Sequence, residues 1–114
     1  MRQQLAQAYT GVQLLRFNGL RTLARVAAGH PPGPEASVSK LFWSEYHKRL
    51  GEIAMGIIGA DGLLRPEGAG YPTSPWQDVY LSSRAGTIYS GTSEIQRTII
   101  GERALGLPKE PRVT

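Results

Sequence analysis

The stretch Gly29-His30-Pro31-Pro32-Gly33 decides the fold, because it interrupts a sequence that is helical in pattern on both sides. Glycine ends a helix at low cost, and consecutive prolines prevent its continuation. Apolar or small residues recur at intervals of three and four before and after this break, as one face of a helix requires. We therefore predict two long helices joined by a short turn, which makes them antiparallel neighbours.

The first long helix is predicted over residues 5–26, and its apolar arc is wide. One face carries Leu5, Ala8, Val12, Leu15, Gly19, Leu23 and Val26, and a second stripe carries Phe17, Leu20 and Ala24. An arc of this width indicates a helix that is contacted on more than one side. The second long helix begins at Pro34-Glu35, where proline suits the first helical position and the carboxylate suits the helix dipole, and it continues to about Ile58.

Two shorter helices are predicted after a loop rich in glycine and proline that runs from Gly59 to Thr73. Ser74-Pro75-Trp76-Gln77 fits a capping box and starts a third helix that runs toward Tyr89. Ser90-Gly91 then interrupts the chain, and a fourth helix begins near Thr92, whose hydroxyl can cap it.

The predicted fold class is therefore all-α, because no alternating strand pattern competes with the helical one. We expect a four-helix bundle, with two long antiparallel helices and two shorter C-terminal helices, over residues 1–107. Leu107-Pro108 closes the last helix, and residues 108–114 form a C-terminal tail.

Composition excludes several classes of protein. No apolar run approaches the ~20 residues that span a bilayer, so we expect no membrane span. The chain has no cysteine, which excludes a disulfide framework, a thiolate nucleophile and a cysteine metal site. This usage is compatible with a reducing compartment, and we expect a cytoplasmic location.

The net charge of +4 would suit a nucleic acid, but the thirteen lysines and arginines are scattered along the chain. Because no basic cluster is interleaved with aromatic residues, we expect no nucleic-acid partner. Surplus basic charge also suits a phosphate-bearing ligand such as a nucleotide cofactor or coenzyme A.

Common catalytic and metal-binding patterns are missing from the sequence. His30 and His47 are the only histidines, and neither has a second ligand at metal-binding spacing, so both are predicted to be solvated and no metal site is expected. No nucleophile elbow or phosphate-binding glycine loop with lysine is present, which argues against hydrolases and kinases. The aromatic residues at helical positions, Trp43, Tyr46, Trp76 and Tyr80, are predicted to lie in the core or an interface.

Two segments together resemble the acyl-CoA dehydrogenase family. Ile88-Tyr89-Ser90-Gly91-Thr92-Ser93-Glu94-Ile95-Gln96-Arg97, followed by Arg103-Ala104-Leu105-Gly106, is similar to the C-terminal signature of that family. Ile57-Ile58-Gly59-Ala60-Asp61-Gly62 resembles the family's glycine loop, at the expected distance upstream. The resemblance covers nearly the whole chain and implies the C-terminal helical bundle of a flavoprotein that normally forms dimers or tetramers.

The resemblance also implies a reaction. Family members introduce an α,β double bond into an acyl-CoA thioester: a carboxylate removes the α proton while the β hydride passes to FAD. Ser90 occupies the position of the glutamate base of many members, and a serine hydroxyl cannot serve as an unassisted base. We therefore expect no catalytic residue in this chain. Members with a small residue here carry the glutamate on an earlier helix, which would lie upstream of Met1.

The resemblance implies further roles near the last helix. Gly91 matches a glycine that approaches the acyl-CoA substrate, although a glycine is also what a break between two helices needs. Thr92 and Glu94 match positions that contact the flavin nucleotide, and Thr92 can cap the helix at the same time.

Gly59 matches a loop glycine that lies against FAD bound to the neighbouring subunit. The loop departs from the family at Gly56, where glutamine is usual, and at Ala60, where a second glycine is usual. We expect a C-terminal part or subunit of an acyl-CoA dehydrogenase-like oxidoreductase acting on CH–CH donors, inactive alone and homo- or hetero-oligomeric. The alternative is a non-catalytic helical module for oligomerisation or interaction, which exposed apolar faces would favour.

Overall fold

The computed structural model describes residues 1–64 and 73–109. Over these ranges the chain forms four α-helices and no strand, which confirms the all-α prediction. The helices are α1, Arg2–Ala27; α2, Glu35–Ile58; α3, Pro75–Gly86; and α4, Ser93–Arg103, and a short 3-10 helix, Gly59–Leu63, follows α2. Most of the predicted loop, residues 65–72, and the last five residues of the predicted tail, 110–114, lie outside the described residues.

The ends of the helices follow the capping signals. Gly29 ends α1 in a left-handed conformation, with φ +81°. The predicted capping box begins α3: the Ser74 hydroxyl accepts from the Gln77 N–H at 3.3 Å, and the Gln77 side-chain oxygen accepts from the Ser74 N–H at 2.7 Å. The predicted end of α3 at Tyr89 is wrong. The helix ends at Gly86, and the chain continues as a turn in which the Thr87 and Ile88 N–H groups make i→i+3 bonds to Arg84 and Ala85 and the Tyr89 N–H also bonds to Ala85.

α2 is the central element, because it contacts α1, the 3-10 helix, α3 and α4. Its interface with α3 is built from small residues: Ser44 and Ser83 are fully buried. A Cβ added to Gly51 would stand 2.9 Å from the Tyr80 Cα, so the two backbones approach closely there. Among the described residues, Ile53 is the one large apolar side chain that is buried, with 5% of it exposed.

The face of α1 that packs on α2 agrees with the predicted one at Ala8 but differs from it elsewhere. Ala8, Gly11 and Asn18 face α2: the Tyr46 hydroxyl donates to the Ala8 carbonyl at 2.9 Å, and Asn18 donates to the Ser39 hydroxyl at 2.5 Å. A Cβ on Gly11 would stand 2.5 Å from the Tyr46 ring, so the glycine admits the ring. Small or polar residues thus face α2, while five residues of the predicted face are exposed: Leu5, Val12, Gly19, Leu23 and Val26.

The molecule is open rather than compact, with principal extents of 51 × 41 × 28 Å. Its radius of gyration is 18.0 Å, whereas a compact chain of this length would have roughly 13 Å. In the part of the chain that the structure describes, no helix combines the length and apolar character needed to cross a bilayer.

Candidate functional site

The turn between α3 and α4 carries the resemblance to the dehydrogenase signature, and its backbone is unusual. Ser90 and Gly91 are consecutive left-handed residues, with φ of +56° and +91°. Ser90 is the one non-glycine residue with positive φ in the described chain. Two side chains hold the turn: the Gln96 amide donates to the Ser90 carbonyl at 2.9 Å, and the Lys40 ammonium donates to the Gly91 carbonyl at 2.5 Å.

The N-terminus of α4 follows the turn directly. The Thr92 hydroxyl accepts from the Ile95 N–H at 3.3 Å, which confirms that Thr92 caps the helix. Glu94 is exposed in the first helical turn. Its own backbone N–H, the Thr92 hydroxyl and, more weakly, the charge of Arg97 hold the pKa of its carboxyl below 4.5. The site therefore presents an ionised carboxylate beside a capped helix N-terminus.

Polar contacts fix α4 on α2. Ser93 is only 4% exposed, its hydroxyl donates to the Glu45 carboxylate at 2.7 Å, and its N–H donates to the Thr87 carbonyl at 3.1 Å. Arg97 forms an ion pair with the same Glu45 oxygen at 3.8 Å. These contacts place the turn at one end of α2 and engage Glu45.

Sequence reasoning did not identify Lys40, Ser93 or Gln96 as parts of this site. Ser93 and Gln96 are buried although they are polar, and their three-residue spacing puts them on one face of α4. Polarity hides that face from a search for apolar periodicity. In the sequence Ile95 is the apolar residue between them, yet Ile95 is exposed in the structure, so no apolar residue marks the buried face.

Gly59 lies at the other end of α2, where it caps the helix with φ +64°. A Cβ added to it would meet nothing within 4 Å, so its surface is open. Gln77 steadies the following 3-10 helix by donating to the carbonyls of Gly62 and Leu64 at 2.8 and 3.0 Å. Lys40 and Gly59 are nineteen positions apart along α2, a separation of about 28 Å at 1.5 Å per residue. The structure therefore brings Ser90, Gly91, Thr92 and Glu94 together but leaves Gly59 apart.

Among the residues that the structure describes, neither histidine belongs to a group of metal ligands. His30 is exposed, as predicted, but His47 is half-buried and stacks on Trp43 with ring centroids 5.3 Å apart. Within residues 1–64 and 73–109, no group of three histidine, aspartate or glutamate side chains could hold a metal ion.

The fold and this turn define a helical domain that presents a glycine turn and a helix N-terminus at one end of its central helix. The family model of the acyl-CoA dehydrogenase C-terminal domain matches residues 1–105. The chain belongs to the acyl-CoA dehydrogenase family and corresponds to its C-terminal domain.

Relatives and a solved structure agree with this assignment. The chain is 44% identical to acyl-CoA dehydrogenase IpdE1 of Mycobacterium tuberculosis, over 98% of this chain and 28% of that protein. It is 46% identical to IpdE1 of Mycolicibacterium smegmatis, over 96% of this chain and 26% of the relative. The solved Tcur3481-Tcur3483 steroid ACAD shares the fold at a TM-score of 0.80 and 24% identity, over 96% of this chain and 29% of that one. The chain thus spans between a quarter and a third of the length of these proteins.

Proposed function

We propose that this chain supplies the C-terminal helical part of an enzyme that introduces an α,β double bond into an acyl-CoA thioester, with FAD as hydride acceptor. Acyl-CoA dehydrogenases are generally FAD flavoproteins. The observation that carries the proposal is the turn at Ser90 and Gly91, held in a left-handed conformation at the N-terminus of α4. Backbone strain of this kind concentrates at functional sites.

Residues of the turn fit the two ligands. Gly91 offers a backbone without a side chain, which allows an acyl-CoA to approach closely. Thr92 and the free end of α4 suit the polar part of a flavin nucleotide. Glu94, an ionised acceptor, suits a donor group of that nucleotide rather than its phosphates, which it would repel. Ser90 stands at the position of the usual base and contributes no carboxylate.

The position of Gly59 supports a flavin site that is shared between two subunits. It lies about 28 Å along α2 from the turn, so one copy of the chain does not bring both to the same part of a ligand. A neighbouring subunit places its own Gly59 against the flavin of this one. The departures at Gly56 and Ala60 leave the loop without the amide and second glycine of the family, so the contact rests on Gly59 alone.

An assembly is also supported by the surface of the chain. The exposed surface is 8497 Å², and compact proteins of this mass expose about 6,100 Å². We propose that the excess is covered by the remaining part of the enzyme and by a second subunit, in a homo- or hetero-oligomer. The same exposed apolar side chains favour the second candidate function, a non-catalytic module for oligomerisation.

Three measurements test these proposals. The purified chain alone is expected to be helical by circular dichroism, colourless and inactive on acyl-CoA with an electron acceptor. Ser90→Glu is expected to restore no turnover in the isolated chain, because the flavin site is incomplete. Stoichiometric flavin on the chain alone, or turnover by this variant, would contradict an incomplete site.

The catalytic proposal and its alternative differ when the chain is combined with the remaining part of the enzyme. The dehydrogenase proposal expects a flavin absorbance spectrum and oxidation of acyl-CoA by the complete assembly. An assembly that forms by light scattering, yet binds no flavin and turns over no substrate, would instead establish the oligomerisation module.

We further propose a domain limit at residue 107 and a location in the cytoplasm. The Leu107 N–H donates to the Gly101 carbonyl at 3.0 Å, which supports a domain that includes Leu107. The lack of cysteine supports a reducing compartment. Truncation after residue 107 is expected to leave helicity unchanged, and fractionation of the source cells tests the compartment.

A further inference from the structure

We propose that Gln96 is a positioning residue that holds the Ser90–Gly91 turn in the conformation in which the turn meets its ligands. The inference rests on the proposed function, because it concerns the same turn. Gln96 lies on the inner side of α4 and is only 7% exposed. It reaches back six residues to donate its amide to the Ser90 carbonyl at 2.9 Å.

Gln96 and Gly91 fit each other sterically. A Cβ added to Gly91 would stand 2.8 Å from the Gln96 amide nitrogen, so the amide fills the space that any side chain at position 91 would need. Lys40 adds a second contact from α2, on the Gly91 carbonyl. Two adjacent carbonyls of the turn are thus held by side chains from two different helices.

Holding these carbonyls also directs the neighbouring N–H groups. In a trans peptide the carbonyl and the N–H of the next residue point in opposite directions. The contacts of Gln96 and Lys40 therefore turn the Gly91 and Thr92 N–H groups away from those two side chains. Neither N–H finds a protein acceptor within the described residues, so both remain available at the site.

Packing alone does not account for an amide at position 96. The Gln96 Oε1 atom is buried and has no donor among the described residues. A leucine would fill similar space without an unpaired buried oxygen. The amide donor is therefore explained by its contact with Ser90, which a leucine could not make.

Gln96→Leu tests the proposal in two measurements, with Thr98→Val as the control. Thr98 lies on the exposed side of the same helix, and its hydroxyl donates only to the Glu94 carbonyl. In the full chain, NMR measures the intraresidue HN–Hα NOE of Ser90, which is strong when φ is positive. We expect Gln96→Leu to weaken this NOE and Thr98→Val to leave it unchanged. Gln96→Glu, which keeps the size of the side chain but replaces the donor, is expected to act like the leucine variant.

The second measurement is made on the flavoprotein that the chain forms with the rest of its enzyme. A small misplacement of reacting groups costs up to about a hundredfold in rate, and we expect Gln96→Leu to lower kcat at least tenfold while KM changes less than twofold. A leucine variant that keeps the Ser90 NOE, or keeps kcat within twofold, would overturn the inference. A wild-type assembly without flavin or turnover would instead contradict the proposed function, and the NMR comparison does not depend on it.

Discussion

At the scale of single residues, Ser90 is the non-glycine residue of the described chain whose backbone is strained by a positive φ. Its φ of +56° places a Cβ in the left-handed region, which costs a non-glycine residue roughly 1–2 kcal/mol. Glycine removes that cost but loses about 0.5–1 kcal/mol through the greater freedom of the unfolded chain. We expect Ser90→Gly to stabilise the chain by about 0.5 kcal/mol in urea unfolding.

The matched control is Ser82→Gly, which introduces the same residue at an exposed helical position of α3. It is expected to destabilise the chain by about 0.5–1 kcal/mol, because a glycine within a helix loses more conformational freedom on folding than other residues do. Opposite signs for the two substitutions support a strained Ser90. Equal losses would show that position 90 is unstrained in solution.

The lowered pKa of Glu94 predicts how the stability of the chain depends on pH. Its pKa lies below the ordinary 4.5 in the folded chain. Ionised Glu94 therefore favours the folded state above pH 4.5, and this contribution is lost as the pH falls through the lowered pKa. An NMR titration of the carboxyl is expected to show a midpoint below 4.5, which rises toward 4.5 in Thr92→Ala. Thr98→Ala should leave the midpoint unchanged, because that hydroxyl contacts the Glu94 carbonyl and not its carboxylate.

At this scale the sequence predicted the caps but not the contacts across helices. Ser74 and Thr92 were identifiable because a capping residue and its partner are only three positions apart. Gln96 and Ser93 act on residues whose positions depend on how α3, α4 and α2 pack. Their contacts follow from the tertiary arrangement, which no local pattern encodes.

At the scale of helices, the approach of α2 and α3 depends on Gly51. A methyl group there would stand 2.9 Å from the backbone of Tyr80, which cannot move without shifting α3. We expect Gly51→Ala to destabilise the chain by about 1–3 kcal/mol, as overpacking does. Gly56→Ala is the control on the same helix, because a Cβ there meets nothing within 4 Å. It should stabilise the chain by about 0.5 kcal/mol, since alanine favours a helix over glycine, and urea unfolding measures both.

Helix boundaries were predicted more closely than helix faces. The break at Gly29 set the end of α1 and the start of α2 to within a few residues, and the caps Ser74 and Thr92 set the starts of α3 and α4, whereas α4 ends at Arg103, before the predicted Leu107. The face of α1 was predicted from its large apolar residues, yet Gly11 and its small neighbours face α2 because Tyr46 fills the space between the helices. Apolar periodicity identifies the apolar stripes of a helix, but it does not show which neighbouring helix or subunit packs on each stripe.

At the scale of the whole molecule, α1 has an outward stripe formed by Tyr9, Val12, Leu20 and Leu23. These four side chains are 45–67% exposed and recur at helical spacing. We expect the chain to associate with a second copy through this stripe, because exposed apolar patches favour association. The double variant Val12→Glu with Leu23→Glu is expected to lower the average mass in light scattering without reducing helicity.

Gln3→Glu with Gln7→Glu is the control for that experiment. It adds the same two charges to exposed polar positions of α1. The control is expected to keep the mass of the original chain. An equal drop in mass for both double variants would show that added charge, and not loss of the apolar stripe, separates the copies.

The serines and glycines at the centre of the molecule also set its response to temperature. Unfolding raises the heat capacity in proportion to the apolar surface that becomes hydrated. Among the described residues, Ile53 is the one large apolar side chain that is buried, so unfolding newly hydrates less apolar surface than it does in a compact domain of this length. The isolated chain should therefore have a shallow stability curve and a broad thermal transition. We expect the sharp thermal transition of a complete domain only when a partner covers the exposed apolar side chains of α1.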